Sequence, residues 1–125
     1  MKEEKNYDLS LCASEHRFMS VIWEREPVNS TQLAKDCLEI LGWKKSTVYT
    51  MLKKLEARGF LKNENSIVRA TVPKSSFCAY ESKNVVNTAF GGSLPAFVAA
   101  FTNGRKLSKK EAEEIRRIID AAGEE

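Results

Sequence analysis

The stretch Trp43–Leu61, WKKSTVYTMLKKLEARGFL, decides the fold, because one helical spacing yields two different faces. Val48, Met51, Leu52 and Leu55 stand at i, i+3, i+4 and i+7, the apolar stripe of a helix that packs into a core. Between them stand Ser46, Thr47, Tyr49, Thr50, Lys53 and Lys54, hydroxyls toward the N-terminal end and ammonium groups one to two turns later. That second face suits an anionic surface. Gly59 is placed for the left-handed residue beyond a helix C-terminus, so the helix closes at Arg58.

Upstream, Ser14 is a candidate cap for a first helix running to about Glu26, with Phe18, Met19, Val21, Ile22 and Trp23 inward and Pro27 as its stop. Ser30 offers the cap of a second helix, in which Leu33, Ala34, Cys37, Leu38 and Leu41 keep helical spacing until Gly42. Downstream, Phe60–Lys62 and Ile67–Val72 read as strands around turn residues Asn63–Ser66, a short hairpin ended by Pro73. A helix around Ser75–Phe90 follows and is broken by Gly91-Gly92. Ser93 then opens a helix with Pro95 in its first turn and Leu94, Phe97, Val98 and Phe101 along one side. A capping box, Ser108 with Glu111, starts the last helix, whose stripe is Ala112, Ile115, Ile118, Ile119 and Ala122.

Three helices followed by a two-stranded hairpin, with the third helix basic and rich in hydroxyls, is the element order of a winged helix-turn-helix. The expected fold is therefore mainly α with a small β-hairpin: a winged-helix DNA-binding domain over residues 1–74, then a C-terminal helical dimerisation region over 75–125. Dimerisation is expected because Leu94, Phe97, Val98 and Phe101, with Ile115, Ile118 and Ile119, are more apolar surface than so small a tail can hide within one chain.

Charge agrees with a nucleic-acid partner. The net charge is only +3, but Lys44 to Lys74 holds eight Lys/Arg against two Glu, a local +6 that leaves −3 for the rest. A recognition helix enters the major groove by its N-terminal end, where Tyr49 and Thr50 would reach base edges and thymine methyls. Lys44, Lys45, Lys53 and Lys54 would flank it on phosphates, and Lys62 and Arg69 on the hairpin would add to them.

Other classes fit poorly. An enzyme would need His16, the single histidine, beside one of the three cysteines, and nothing in the sequence brings them together, so no catalytic residue is assigned. Cys12, Cys37 and Cys78 have no CxxC spacing, which leaves no metal ligand set and no cofactor; they are expected to be buried free thiols, with Cys78 in a polar stretch the candidate for a redox response. MKEEKNYDLS is not a signal or transit peptide, and the longest apolar run, Leu94–Phe101, is far too short to span a bilayer. A cytoplasmic protein without a membrane partner is the expectation.

MSVIW in the first helix, the WxxSTVYTMLxxLExRGFL block, the proline after the hairpin, and the tail GGSLPAFVAAF with LSKKEAEEI together resemble the penicillinase-repressor family, the BlaI/MecI/CopY type. The resemblance covers roughly Leu9 to Ile119. It implies a homodimeric transcriptional repressor that binds a palindromic operator in double-stranded DNA, with contacts from Ser46, Thr47, Thr50 and Lys54, a lysine where the family often has arginine. It also implies relief by an inducing protease within the helix from Ser93 to Asn103; the aligned bond is Ala100-Phe101, with alanine where the family usually has asparagine. Thr71 stands where the family usually has an aromatic wing residue, and the cysteine-rich metal motif of the copper-responsive branch is absent. Two other readings compete: a winged helix used as a protein-interaction module, and a redox-responsive regulator acting through Cys78.

Overall fold

The computed structural model describes residues 8–123. Among them the elements run α1 (Ala13–Arg25), β1 (Val28–Asn29), α2 (Ser30–Leu41), α3 (Lys45–Ala57), β2 (Leu61–Glu64), β3 (Ile67–Ala70), α4 (Lys74–Ala89), α5 (Leu94–Thr102) and α6 (Lys109–Ala122). The chain divides within α4 into two compact units, one ending at Ser82 and the other starting at Lys83. The first seven residues, which carry most of the stretch read for targeting signals, lie outside the described part. No single described helix is long and apolar enough to cross a membrane.

The first unit is a winged helix. Phe18, Met19 and Ile22 of α1, Leu33 and Cys37 of α2, Val48, Leu52 and Leu55 of α3, and Phe60, Leu61 and Val68 around the sheet are buried in one cluster. Trp43, just before α3, stacks on Phe18 with ring centroids 5.6 Å apart, and the Trp23 indole N–H donates to the Val72 carbonyl at 2.9 Å. Phe77 of α4 is also buried, against the rings of Trp23 and His16.

The helix starts differ from the expected ones. α1 is capped at Cys12, two residues before Ser14, because the Glu15 carboxylate folds back to accept the Cys12 backbone N–H at 2.9 Å. α2 is capped by Asn29, whose side chain accepts from the Thr31 N–H at 2.8 Å, while Ser30 is buried in the first turn. Leu38 is 61% exposed instead of inward, since it lies one position round the helix from Cys37, past the edge of the stripe that α1 and α3 cover. Gly42 ends α2 with φ +72°, a left-handed conformation that glycine adopts without strain.

The wing has three strands, not two, in the order β1-β3-β2 and antiparallel throughout. A two-residue strand carries no periodicity to read; β1 is held by its pairing of Val28 with Val68 and by the Ser30 N–H on the Ser66 carbonyl at 2.8 Å. Asn63 and Glu64 belong to β2, so the loop is only Asn65-Ser66, both at positive φ as the tightest hairpin turns require. Thr71 closes the wing onto the end of α3, its hydroxyl donating to the Gly59 carbonyl at 2.6 Å.

In the second unit Ser93 caps α5 and Ser108 caps α6 as expected, through the N–H groups of Ala96 and Glu111. The Glu111 carboxylate pairs with Arg105 at 3.3 Å, so only half of the anticipated capping box is made. Phe97 meets Phe90 edge-on and Phe101 in a stack, and the Arg105 guanidinium lies 5.1 Å from the Phe101 ring. No residue of α5 or α6 is buried.

Candidate nucleic-acid interface

The face of α3 opposite its buried stripe is open. Lys44, Lys45, Ser46, Thr47, Thr50, Lys53 and Lys54 are all exposed, and Ser46, Thr47, Thr50, Met51 and Lys54 line one shallow groove of about 310 Å³. The Lys44 side chain does not cap α3, which leaves the first backbone N–H groups of the helix for an outside acceptor. The spacing 46, 47, 50 and 54 sets the groove side chains on successive turns.

On the wing, Lys62 and Arg69 are directly opposed in the β2–β3 register and both exposed. Like charges placed opposite one another weaken a sheet. Glu64 compensates only loosely, with its carboxylate 3.7 Å from Lys62. A bound anion would relieve the remaining repulsion.

Two expected contacts are placed otherwise. Tyr49 is half-buried against the core, and its hydroxyl donates to Ser30 Oγ at 3.4 Å, because position 49 lies between the Val48 stripe and α2. It therefore does not line the groove. Lys54 lines the groove, but its ammonium is already paired with Glu15 Oε2 at 2.8 Å.

Glu15 is the residue that sequence reasoning missed. It is 5% exposed, and its other oxygen accepts from the Cys12 N–H and faces Arg58 Nη1 at 3.4 Å. Its signal was a glutamate three residues into a helix, hidden because cysteine is a poor guide to a cap. The hydrogen-bonded Lys54 ammonium holds the Glu15 carboxyl at about 2, below the ordinary 4.5, against the opposing effect of burial. Its pKa is lowered on folding, so its contribution to stability is whole above about pH 4.5 and is lost as pH falls toward about 2. The contribution is on the order of 2 kcal/mol once solvent around Lys54 is allowed for. Denaturant titrations from pH 6 down to pH 2 are expected to show this loss in the wild type and a shallower one in Glu15→Gln; equal slopes would mean that the pair does not form.

The thiols also depart from expectation: Cys37 is buried, and burial pushes it up to about 11, but Cys12 and Cys78 are exposed. Cys37 lies on the buried stripe of α2, whereas Cys12 stands at the start of α1 and Cys78 on an exposed position of α4.

A winged helix with an open, hydroxyl-bearing and cationic third helix is the form of a DNA-binding regulator of transcription. The chain belongs to the penicillinase repressor family, whose model matches residues 11–121. It is 27% identical over 122 residues to the methicillin resistance regulatory protein MecI of Staphylococcus aureus, across 94% of this chain and 98% of that protein. It is 24% identical over 111 residues to the penicillinase repressor of Bacillus licheniformis, across 86% and 87%. The penicillinase repressor of Staphylococcus aureus is 20% identical over 119 residues, across 92% and 94%.

Proposed function

We propose that the chain is a homodimeric repressor of transcription that binds a palindromic operator, with residues 1–74 reading DNA and residues 75–125 pairing the subunits. The observation that carries the DNA reading is the open face of α3, where Ser46, Thr47 and Thr50 line a groove flanked by exposed lysines. Ser46, Thr47 and Thr50 are the base-reading candidates; Lys44, Lys45, Lys53, Lys62 and Arg69 meet phosphates.

Pairing is supported by the second unit, in which Leu94, Val98, Phe101, Ile115, Ile118 and Ile119 are all exposed and no core forms within α5 or α6. Two subunits related by a two-fold axis present two recognition helices to half-sites one helical turn apart. Each half-site then binds at the effective concentration set by the other. Repression is steric: the dimer occupies the promoter until pairing is lost. Ala100 and Phe101 are both exposed on α5, which suits relief by a protease cutting between them.

The test is a titration with duplex DNA at several salt concentrations. Lys45→Ala is expected to weaken binding to all sequences and to lower the salt slope by about 0.9, the release of one phosphate contact. Thr50→Val is expected to shift sequence preference with little change in that slope. Binding that ignores salt, or no binding at all, would leave the face as a protein-docking surface instead.

A further inference from the structure

Resting on the DNA-binding reading above, we propose that Glu15 is a positioning residue for operator recognition: it holds the Lys54 ammonium in the wall of the α3 groove, so that Lys54 reads bases and does not neutralise phosphate.

Three observations carry this. Lys54 Nζ lies 2.8 Å from Glu15 Oε2, yet its side chain is 55% exposed and lines the groove beside Ser46, Thr47 and Thr50. An ammonium has three N–H donors, so two remain after the carboxylate has taken one, and the flexible stem can no longer swing them at random. They are fixed donors for a base edge.

The charge, by contrast, is partly spent. A carboxylate at 2.8 Å cancels much of the field a phosphate would meet, although Glu15 also faces Arg58 at 3.4 Å, so less counterion release follows from this lysine than from an unpaired one. Lys53, one residue earlier, has no carboxylate within 4.0 Å among the described residues and keeps its full charge.

Lys54 also cannot change partners freely. Leaving Glu15 would strand a buried carboxylate with Arg58 alone, at 3.4 Å. Arg58 is itself tied to the Ser10 carbonyl at 2.8 Å and lies over the Phe60 ring at 5.0 Å, so it does not close up to replace the lysine. The pair spans α1 and α3, which makes a residue outside the recognition helix a determinant of what that helix reads.

The experiment uses the full chain as wild type, Lys53→Ala, Lys54→Ala, Glu15→Gln and the double variant Glu15→Gln/Lys54→Ala. Each is titrated with a mixed-sequence duplex across salt and put through selection from a randomised duplex pool. Lys53→Ala is expected to lower the salt slope by about 0.9, whereas the double variant Glu15→Gln/Lys54→Ala, which removes both charges of the pair, keeps the wild-type slope but flattens the selected base preferences. Glu15→Gln releases the ammonium, steepens the slope by up to about 0.9, strengthens mixed-sequence binding at low salt and flattens the preferences too. A purely structural Glu15 would weaken binding without steepening the slope.

Equal slope losses in Lys53→Ala and in the double variant, or a Glu15→Gln slope no steeper than wild type, would overturn the proposal while leaving DNA binding intact. If circular dichroism shows Glu15→Gln unfolded, selection with Lys54→Ala decides alone: flattened base preferences uphold the proposal and wild-type preferences overturn it. Wild-type protein with no salt-dependent DNA binding overturns both readings and is told apart because Lys53→Ala then has no slope to lower.

Discussion

Phe101→Asp is expected to give a monomer that binds operator at least about 100-fold more weakly than wild type. Phe101 is 55% exposed, stacked only on Phe97 and beside Arg105, and it lies on the same helix as exposed Leu94 and Val98. A carboxylate placed there has to lose its water in any apolar pairing, and the neighbouring Arg105 is already paired with Glu111. Within the single subunit the change costs little, because the position is open to solvent. The whole effect therefore falls on association, and with it the effective concentration that joins two half-sites, a factor of roughly 10²–10⁴. Sedimentation equilibrium measures the first consequence, and a two-half-site duplex compared with a single half-site measures the second. A variant that still sediments as a dimer and still prefers the palindrome would exclude this face from pairing.

Phe18→Ala is expected to cost about 4 kcal/mol, most of the stability of a small winged unit. The ring has no exposed surface and stacks on Trp43 at 5.6 Å, so its removal takes away buried apolar area, leaves a cavity and deletes an aromatic pair. For a unit of this size a loss of that order lowers Tm by roughly 15–30 °C. Trp43 precedes the α3 cap at Lys44, so the same cavity loosens the entry to the recognition helix, and DNA binding should fail at temperatures where wild type still binds. Thermal melts followed by circular dichroism and by tryptophan fluorescence test both parts. A shift below about 1 kcal/mol would mean the interior repacks around the lost ring.

The winged helix was legible because its evidence is local. Helical spacing at Val48, Leu52 and Leu55 places a stripe, Gly42 and Gly59 mark ends, and Ser93 and Ser108 mark starts; each depends on a few neighbours in the chain and each is present. The starts of α1 and α2 were misplaced by one or two residues on local capping, and the larger failures involved partners distant in sequence. β1 exists only because Val68 and Ser66 come to it from nearly 40 residues away, a separation that two residues of sequence cannot reveal. Leu38 looked apolar and periodic, but burial depends on how far α1 and α3 reach around α2.

The candidate interface divides in the same way. That Ser46, Thr47, Thr50, Lys53 and Lys54 share the polar face of α3 follows from 3.6 residues per turn and from nothing else. Which of them are free to act is a tertiary matter: Tyr49 was drawn to Ser30 on α2, and Lys54 to a glutamate on α1 that no pattern around the recognition helix predicts. Periodicity determined the helices, the polarity of their faces and the surplus of apolar residues in the tail, because these follow from the chain's own geometry. Only the packed structure determined which charges remain unpaired, because an ion pair is made where two helices meet and its strength is set by the water their meeting excludes.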